Sequence, residues 1–478
     1  MAAGHIKVAL VGLSATAKTS WAQDAHLPYL LSPLGRARYE VVALCNSTVA
    51  SAEAARARHG LPDTVKAYDD ATDLAADGDV DLVVCCTGVV GEDDQDDGDD
   101  DDGGGGGGNS SRAKTAAPAL RAGKAVYVEW PIAESLAAAV QMAAECDGTS
   151  PSGSVAGSDC SSPSFPGAAS NNSIVGLQGR LSPVVRKVKD MLDSGRVGRV
   201  LSSEVRAFGT LQRREHAGPS RTARGRGAGR LAGGGGGGGG VVGSPLTHTL
   251  DYVHEVLGEF EAGTIRCRMQ VQQPGVAARV GGDDADEKGS GGGVADVPDL
   301  VVLHGQLAGF HNATPDATLS VTYRTAPPFK GQPGLAWTIN CERGEIMITS
   351  PSGPCLHSDS YAADGELEHV TIRVHDFLND QVINVHWDWE DWQLALPVRA
   401  RNVAHLYERF GRWWEKTRRR EEAVLNSNNG YSSAVGGIGT GQALRVAEDD
   451  DWPRIQDGIV RLRQLDAMFR QYDSQRLA

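Results

Sequence analysis

The sequence predicts an α/β fold: an N-terminal Rossmann domain followed by a C-terminal α+β domain with a large, mostly antiparallel sheet. Over the first 147 residues, short apolar runs alternate with helical segments, which is typical of a parallel sheet with helices on both faces. In the second half, several runs alternate apolar and polar residues. Strands show that alternation when one face of an antiparallel sheet meets water.

Four apolar runs predict the strands of the first domain. They are Ile6–Gly12, Tyr39–Asn46, Val80–Gly88 and Lys124–Trp130. The alanine-rich segment Ser51–Gly60 predicts a helix closed by its glycine. This order of elements predicts a doubly wound nucleotide-binding layout.

The second half begins with a predicted helix and continues with a series of strands. The helix spans Ser182–Gly195. The strand candidates are VLSSEVRAFG, GTIRCRMQVQQ, DLVVLHGQLAG, DATLSVTYRT, LAWTINC, GEIMITS and LEHVTIRVHD. Two late helices, RNVAHLYERFGRWWEKTRR and PRIQDGIVRLRQLDAMFRQYD, close the chain.

Low-complexity inserts divide the chain. We expect a Rossmann domain at 1–147 with a disordered insert at 91–112, and a disordered linker at 148–172. The C-terminal domain would span 173–425 with inserts at 212–240 and 280–297, before a last insert at 426–441 and a terminal helix within 442–478. These Gly-, Ser- and Asp-rich segments bury too little apolar surface to offset the entropy of ordering.

Charge and cysteine content limit the function classes. The net charge is −15, and the segment 92–102 alone holds nine acids, which leaves −6 for the remainder. This balance argues against direct binding of nucleic acid and favours small molecules or protein partners. None of the eight cysteines forms a C-x-x-C pair or has zinc spacing, so we expect no metal and reduced thiols in the cytoplasm or nucleus. No apolar run is long enough for a membrane span, and the strand starting at Ile6 leaves no room for a targeting peptide.

The turn after the first strand resembles a degenerate dinucleotide loop. The fingerprint G-x-G-x-x-G here has Gly12, Ser14 and Ala17 at its glycine positions, with Leu13 between the first two. The first glycine permits the sharp turn, serine adds a Cβ near the pyrophosphate, and alanine still allows helix packing. An ordinary strand-to-helix turn stays the alternative for this loop taken alone.

The ends of the later strands complete the predicted cofactor set. Asn46 and Ser47 follow the second strand, where an acid usually binds the ribose, so either NAD or NADP is compatible. Thr87 ends the third strand, and Glu129 and Trp130 end the fourth. For Glu129, a solvated turn residue is the alternative to a cofactor contact.

Several segments resemble the Gfo/Idh/MocA family in the order in which they occur. They are VALVG, VVALCNST, DVDLVVCCTG, ALRAGKAVYVEWP, LQGRLSP and DSGRVGRV, and the resemblance covers most of the chain outside the inserts. Within that family, the Val-Glu-Trp turn, the Leu-Gln-Gly-Arg strand and the His-Thr-x-Asp segment resemble the fungal repressors of the galactose regulon. The resemblance implies NAD or NADP in the cleft and a homodimer formed through the large sheet.

The same resemblance implies where a catalytic site would lie. The family's substrate-binding lysine, in Glu-Lys-Pro, corresponds to Trp130, its histidine to His248, and its aspartate to Ser244. His248, Asp251 and Arg180 are the implied substrate contacts. The alternatives are a hydrogen-bonded cluster at a helix start for His248 and Asp251, and an ion pair across the domain junction for Arg180.

These substitutions weigh against inherited alcohol oxidation. His248 could accept a hydroxyl proton, but Trp130 has no charge to stabilise an alkoxide. The loss of one such positioned group costs roughly 100- to 1,000-fold in rate. We therefore expect a catalytically degenerate regulator that binds a dinucleotide, and a sugar-like ligand or a transcription activator. The alternatives are an NAD(P)-dependent oxidoreductase of a sugar or polyol with His248 as base, and a scaffold that binds nothing.

Overall fold

The computed structural model describes residues 5–16, 20–87, 112–146, 173–209, 245–272, 298–309, 312–356, 360–361, 367–428 and 451–477. Ala17, Ser244 and nearly all of the predicted inserts lie outside these ranges. The predicted boundaries of the domains therefore stay predictions.

The first sheet has six parallel strands in the order β3-β2-β1-β4-β5-β6. Its strands are β1 (Ile6–Val11), β2 (Tyr39–Cys45), β3 (Lys66–Tyr68), β4 (Leu82–Cys85), β5 (Ala125–Val128) and β6 (Ser173–Val175). The strands β4, β5 and β6 are buried at every position. Such uninterrupted apolar runs are what a sheet covered on both faces requires.

The helices around this sheet begin after each strand. They are α1 (Leu27–Leu30), α2 (Pro33–Arg36), α3 (Val49–Arg58), α4 (Ala71–Ala76), α5 (Arg112–Arg121) and α6 (Leu136–Cys146), with a π-helical segment at Ala22–His26. Thr48 caps α3 through a capping box with Ser51. The sequence analysis missed β3 and α4, which are only three and six residues long.

The second sheet has eight strands in the order β16-β15-β12-β11-β7-β10-β9-β8. All neighbours pair antiparallel except β10 and β7. Its strands are β7 (Val200–Phe208), β8 (Arg266–Gln270), β9 (Leu300–Gln306), β10 (Ala313–Arg324), β11 (Leu335–Cys341), β12 (Gly344–Ser350), β15 (Thr371–Asp376) and β16 (Gln381–Val385). Strands β13 (Ser360–Tyr361) and β14 (Leu367–Glu368) pair antiparallel with each other in a separate two-stranded sheet. The predicted fold class is confirmed.

The helices of the second half are α7 (Pro183–Asp193), α8 (Pro245–Leu257), α9 (Asp391–Leu394), α10 (Val398–Asn428) and α11 (Ile455–Leu477). The Leu-Gln-Gly-Arg segment was predicted as a strand, but residues Gln178–Leu181 form a 3-10 helix because the chain turns tightly between β6 and α7. Within the described residues, no helix has the length and apolar character needed to span a bilayer.

Helix α10 packs against the first sheet although it lies far along the chain. Ala400, Val403, Leu406 and Phe410 share one buried cluster with residues of β1 and β2. This packing matters for the site, because it brings α10 next to the segment that follows β1.

The two edges of the second sheet differ. At β8, the main-chain N–H of Cys267 donates to Gln471 Oε1 at 2.8 Å, and its carbonyl accepts from Gln475 Nε2 at 2.9 Å, so α11 covers this edge. Strand β16 forms the other edge and exposes Val382 by 63%. An exposed edge strand presents unpaired main-chain groups to solvent.

Candidate functional site

The turn after β1 brings the chain close to the end of β4. Gly12 has φ of +89°, a conformation that only glycine adopts without strain. A Cβ on Gly12 would lie 3.0 Å from Thr87 Cγ2 and 3.1 Å from Thr87 N. The backbone can therefore approach here only because residue 12 is glycine.

The residues after Gly12 are held by local hydrogen bonds. Leu13 is fully buried, and its carbonyl accepts from Asn46 Nδ2 at 2.9 Å. Ser14 Oγ accepts from the Thr16 N–H at 3.2 Å, and the Ser14 carbonyl lies 3.2 Å from His59 Nε2. The serine at the second fingerprint position thus stabilises the loop itself.

Three buried polar atoms without hydrogen-bond partners lie at the carboxyl ends of the strands. They are Asn46 Oδ1 after β2, Thr87 Oγ1 after β4 and Trp130 Nε1 after β5. A buried polar group left unpaired costs about 1–3 kcal/mol, so most such groups in folded proteins have a hydrogen-bond partner. These three atoms are therefore candidates for contacts with a ligand. Ser47, by contrast, is exposed.

Glu129 is buried and bonded to His26. The two atoms His26 Nε2 and Glu129 Oε1 are 2.8 Å apart, and His26 Nδ1 lies 2.8 Å from the Tyr407 hydroxyl. Burial alone would raise the pKa of Glu129, but the His26 hydrogen bond and the charges of His26 and Arg112 outweigh it and lower the pKa. Glu129 is therefore an anion at neutral pH.

Arg112 joins the ends of β4 and β5. Its guanidinium donates to the carbonyls of Glu129 at 3.1 Å and Pro131 at 2.8 Å, and also to the carbonyl of Thr87. The sequence analysis placed Arg112 at the end of a disordered insert. It instead begins α5 and is buried, because these carbonyls satisfy its donors.

Trp130 occupies the position that the family resemblance assigns to the lysine. Its side chain is 4% exposed and belongs to the large apolar cluster that extends into the second sheet. Tyr127 and Val128, which lie in β5 just before Glu129, are fully buried. The indole is thus a part of the core whose N–H alone lacks a partner.

His248 lies in the first turn of α8 and is half-buried. Burial lowers the pKa of His248, and the charges of Asp251 and Glu129 oppose that change only in part. The ring is therefore neutral at pH 7 and can accept a proton.

Arg180 and Asp251 bind each other. The Arg180 guanidinium donates to both oxygens of Asp251, at 2.9 and 2.8 Å, and to Asp457 at 2.8 Å. Arg461, itself 1% exposed, lies 3.3 Å from Asp251. Pairing with a carboxylate was the alternative given for Arg180, but both partners lie within the predicted domain 173–425, so this pair does not cross the predicted domain junction. A ligand-binding role for either residue stays a prediction.

Sequence reasoning missed His26, Arg112 and Tyr407. His26 and Tyr407 are 381 residues apart, and neither lies in a motif. A surface cavity lined by Arg199, Glu261, Gln306 and Pro315 includes none of the predicted site residues. The described residues hold no cluster of His, Cys, Asp and Glu that could bind a metal ion.

A dinucleotide fits the residues at these strand ends. The positive φ of Gly12 forms a tight turn after β1, and the buried atoms of Asn46, Thr87 and Trp130 that lack partners could accept from or donate to a ligand. Comparison with known proteins points the same way. Residues 6–151 match the family described as the oxidoreductase family with an NAD-binding Rossmann fold, Gfo/Idh/MocA, and residues 183–350 match the C-terminal domain of Gal80p.

The likeness to the Gfo/Idh/MocA family thus covers the N-terminal part of the chain, and the likeness to Gal80p covers part of the second half. Among curated proteins, it is 29% identical to dehydrogenase aclE of Aspergillus oryzae over 349 residues, which cover 73% of this chain and 78% of that one. Among solved structures, a super-repressor mutant of Gal80p from Saccharomyces cerevisiae superposes with a TM-score of 0.66 at 17% identity, covering 99% of this chain and 97% of that one. An inositol dehydrogenase homologue from Azotobacter vinelandii, in complex with NAD+, superposes with a TM-score of 0.60 at 15% identity, covering 99% and 96%. At such identities the structural likeness shows the fold.

Proposed function

We propose that this chain binds NAD(H) or NADP(H) and uses it as a regulatory ligand, in the manner that its likeness to Gal80p suggests. The observation that carries the proposal is Trp130 at the lysine position, since a buried indole cannot hold a substrate alkoxide. The cofactor end, in contrast, keeps the Gly12 turn and the three orphaned polar atoms.

The residues that would hold the dinucleotide are those of the strand ends. Gly12, Leu13, Ser14 and Ala17 would approach the pyrophosphate, and the ends of β2, β4 and β5 would contact the ribose and nicotinamide groups. When bound, the group supplies a hydride acceptor or donor. Around it, Glu129 is an anion suited to a hydroxyl group, and neutral His248 can accept a proton.

As a regulator, the protein would act through other macromolecules in the cytoplasm or nucleus. We propose a transcription activator protein as the partner and a homodimer through the large sheet, with a sugar-like ligand between the domains near His248, Arg180 and Asp251. Neither a membrane nor direct contact with nucleic acid is part of this proposal, in keeping with the net charge of −15.

The test is calorimetric titration of the full chain with NAD, NADH, NADP and NADPH. Tighter binding of one redox state, with no oxidation in a screen of sugars and polyols, is the expected result. Equal affinity for both states together with turnover would overturn the regulator. Absence of binding by all four would favour the scaffold and end the dinucleotide proposal.

A second candidate is an NAD(P)-dependent dehydrogenase with His248 as base. The lowered pKa of His248 favours it, because a neutral imidazole is the form that accepts a proton. The likeness to dehydrogenase aclE supports it as well. If the screen finds a substrate, His248→Ala should lower kcat by roughly 100-fold or more while leaving dinucleotide affinity unchanged. An unaffected rate would remove His248 from the mechanism.

A further inference from the structure

Glu129 stands at the end of a buried hydrogen-bonded chain that starts on α10. The Tyr407 hydroxyl, His26 Nδ1, His26 Nε2 and Glu129 Oε1 follow one another, with 2.8 Å at each of the two hydrogen bonds. His26 is 0% exposed, Tyr407 0% and Glu129 5%, so water does not compete for these bonds. Tyr407 comes from a helix that the sequence places 278 residues after Glu129.

The order of donors in this chain is set by Glu129. Its lowered pKa keeps the carboxylate ionised, so it can only accept, and His26 Nε2 carries a ring proton and donates to Glu129 Oε1. His26 Nδ1 lies 2.8 Å from the Tyr407 hydroxyl, which holds the second nitrogen of the ring. In the neutral ring this nitrogen accepts and the hydroxyl donates.

Packing fixes the other side of the Glu129 carboxylate. A Cβ on Gly176 would lie 2.3 Å from Glu129 Oε2, so the carboxylate rests directly on the backbone of residue 176. The ring of His26 is itself fixed by packing, because it lies edge-on against Tyr127 with ring centroids 4.9 Å apart. Glu129 therefore has one orientation, which depends on His26 and Tyr407.

We propose that His26 and Tyr407 are positioning residues that orient Glu129 at the cofactor edge, so that helix α10 controls how tightly the dinucleotide is held. The proposal rests on the proposed dinucleotide function and names the residues through which that site is regulated. Helix α10 is suited to this role because Glu408, next to Tyr407, accepts from Arg38 at 2.7 Å and from the Tyr29 hydroxyl. Any partner or ligand that shifts α10 would move the Tyr407 hydroxyl with it.

The structure offers matched controls. Tyr39 donates its hydroxyl to the Tyr407 carbonyl at 2.6 Å, and Tyr29 donates to Glu408 at 2.5 Å. Both are buried tyrosines in the same aromatic cluster, but neither bonds to His26. Tyr39→Phe and Tyr29→Phe thus remove a buried hydroxyl from the cluster and leave the chain to Glu129 intact.

The experiment is titration of the full chain and of Tyr407→Phe, Tyr39→Phe, Tyr29→Phe and Glu129→Gln with NAD and NADH. Tyr407→Phe should weaken binding about 5- to 20-fold, since His26 loses the hydrogen bond that holds its second ring nitrogen. The two controls should stay within about 2-fold of wild type while losing similar thermal stability. The double variant Tyr407→Phe/Glu129→Gln should bind no more weakly than Glu129→Gln alone, because both changes break one chain.

Two results would overturn the positioning role. One is a Tyr407→Phe affinity equal to that of the controls, and the other is a double variant whose losses multiply. A wild-type chain that binds none of the dinucleotides would instead overturn the proposed function, and this inference with it. Wild-type binding measured first therefore separates the two failures.

Discussion

The two ends of the candidate site differ in what remains unpaired. At the cofactor end, Asn46, Thr87 and Trp130 present buried polar atoms without partners, and Gly12 lets the turn pass close to Thr87. At the substrate end, Arg180 and Asp251 bind each other, and Arg461 Nε, which has no hydrogen-bond partner, lies 3.3 Å from Asp251 in an ion pair. Buried polar groups without partners are candidates for ligand contacts, whereas groups that are already paired within the protein have a structural role. The contrast therefore favours a protein that retains its cofactor site more fully than its chemistry.

The largest expected effect comes from restoring the lysine. Trp130→Lys should lower the free energy of unfolding by about 3–5 kcal/mol, because it removes a buried ring and adds an unpaired charge. It should not create polyol oxidation, because the surroundings of Trp130 are core. Urea unfolding and a dehydrogenase assay check both statements.

Trp130→Phe is the matched control, since it keeps an aromatic ring and adds no charge, while removing the N–H that lacks a partner and part of the indole volume. It should cost less stability than Trp130→Lys, because it leaves no buried charge. A well-folded Trp130→Lys variant that oxidises a polyol would contradict the conclusion that the cofactor site is retained more fully than the catalytic site.

The next effect is at the turn after β1. Gly12→Ala places a Cβ 3.0 Å from Thr87 in a backbone with φ of +89°, so it should lose more than about 10-fold in NADH affinity and about 2 kcal/mol of stability. Gly60→Ala has a comparable φ of +62° but meets nothing within 4 Å. It should cost about 1–2 kcal/mol of stability and leave affinity unchanged. Equal affinities for the two variants would show that the turn does not hold the dinucleotide.

Thr87→Val should change stability and affinity in opposite directions. The variant removes a buried hydroxyl without a partner, so the fold should gain up to about 1 kcal/mol, while NADH binding weakens about 5-fold. Ser203→Ala removes a paired hydroxyl in the second sheet, which donates to the Thr338 carbonyl at 2.7 Å, and it should lower stability alone. Thermal unfolding measures the stability and calorimetry the NADH affinity. A Thr87→Val variant in which both quantities fall, or both rise, would refute the assignment of Thr87 to the cofactor site.

The smallest effect concerns pH. The folded-state pKa of His248 is lowered by burial, so the unfolded chain binds more protons at mildly acid pH and stability falls as the pH drops below the ordinary value of 6.5. One proton contributes at most about 1.4 kcal/mol per pH unit. His248→Gln should therefore lose less stability than wild type between pH 7 and pH 5 in urea unfolding. Parallel curves would mean that His248 is solvated and faces no closed site.

The sequence was informative wherever the pattern was local. Windows of about ten residues are enough to recognise the buried strands, the Gly12 turn and the amphipathic strands of the second half. The fold class follows from the order of these elements. The pairing of His26 with Tyr407 and the clamp formed by Arg112 depend on contacts between distant segments. No periodicity in the chain encodes such contacts. Arg112 was also missed because it directly follows a low-complexity run, so the sequence analysis assigned it to the insert.

The unequal edges of the large sheet limit how the molecule can associate. The glutamines of α11 occupy the main-chain N–H and carbonyl of Cys267, so a strand from another molecule meets an obstruction at the β8 edge. The β16 edge carries no such cover within the described residues. Pairing of β16 with β16 of a second copy would be isologous, so it would close after two copies and leave neither β16 edge free. The large sheet is therefore suited to edge pairing in twos rather than in series.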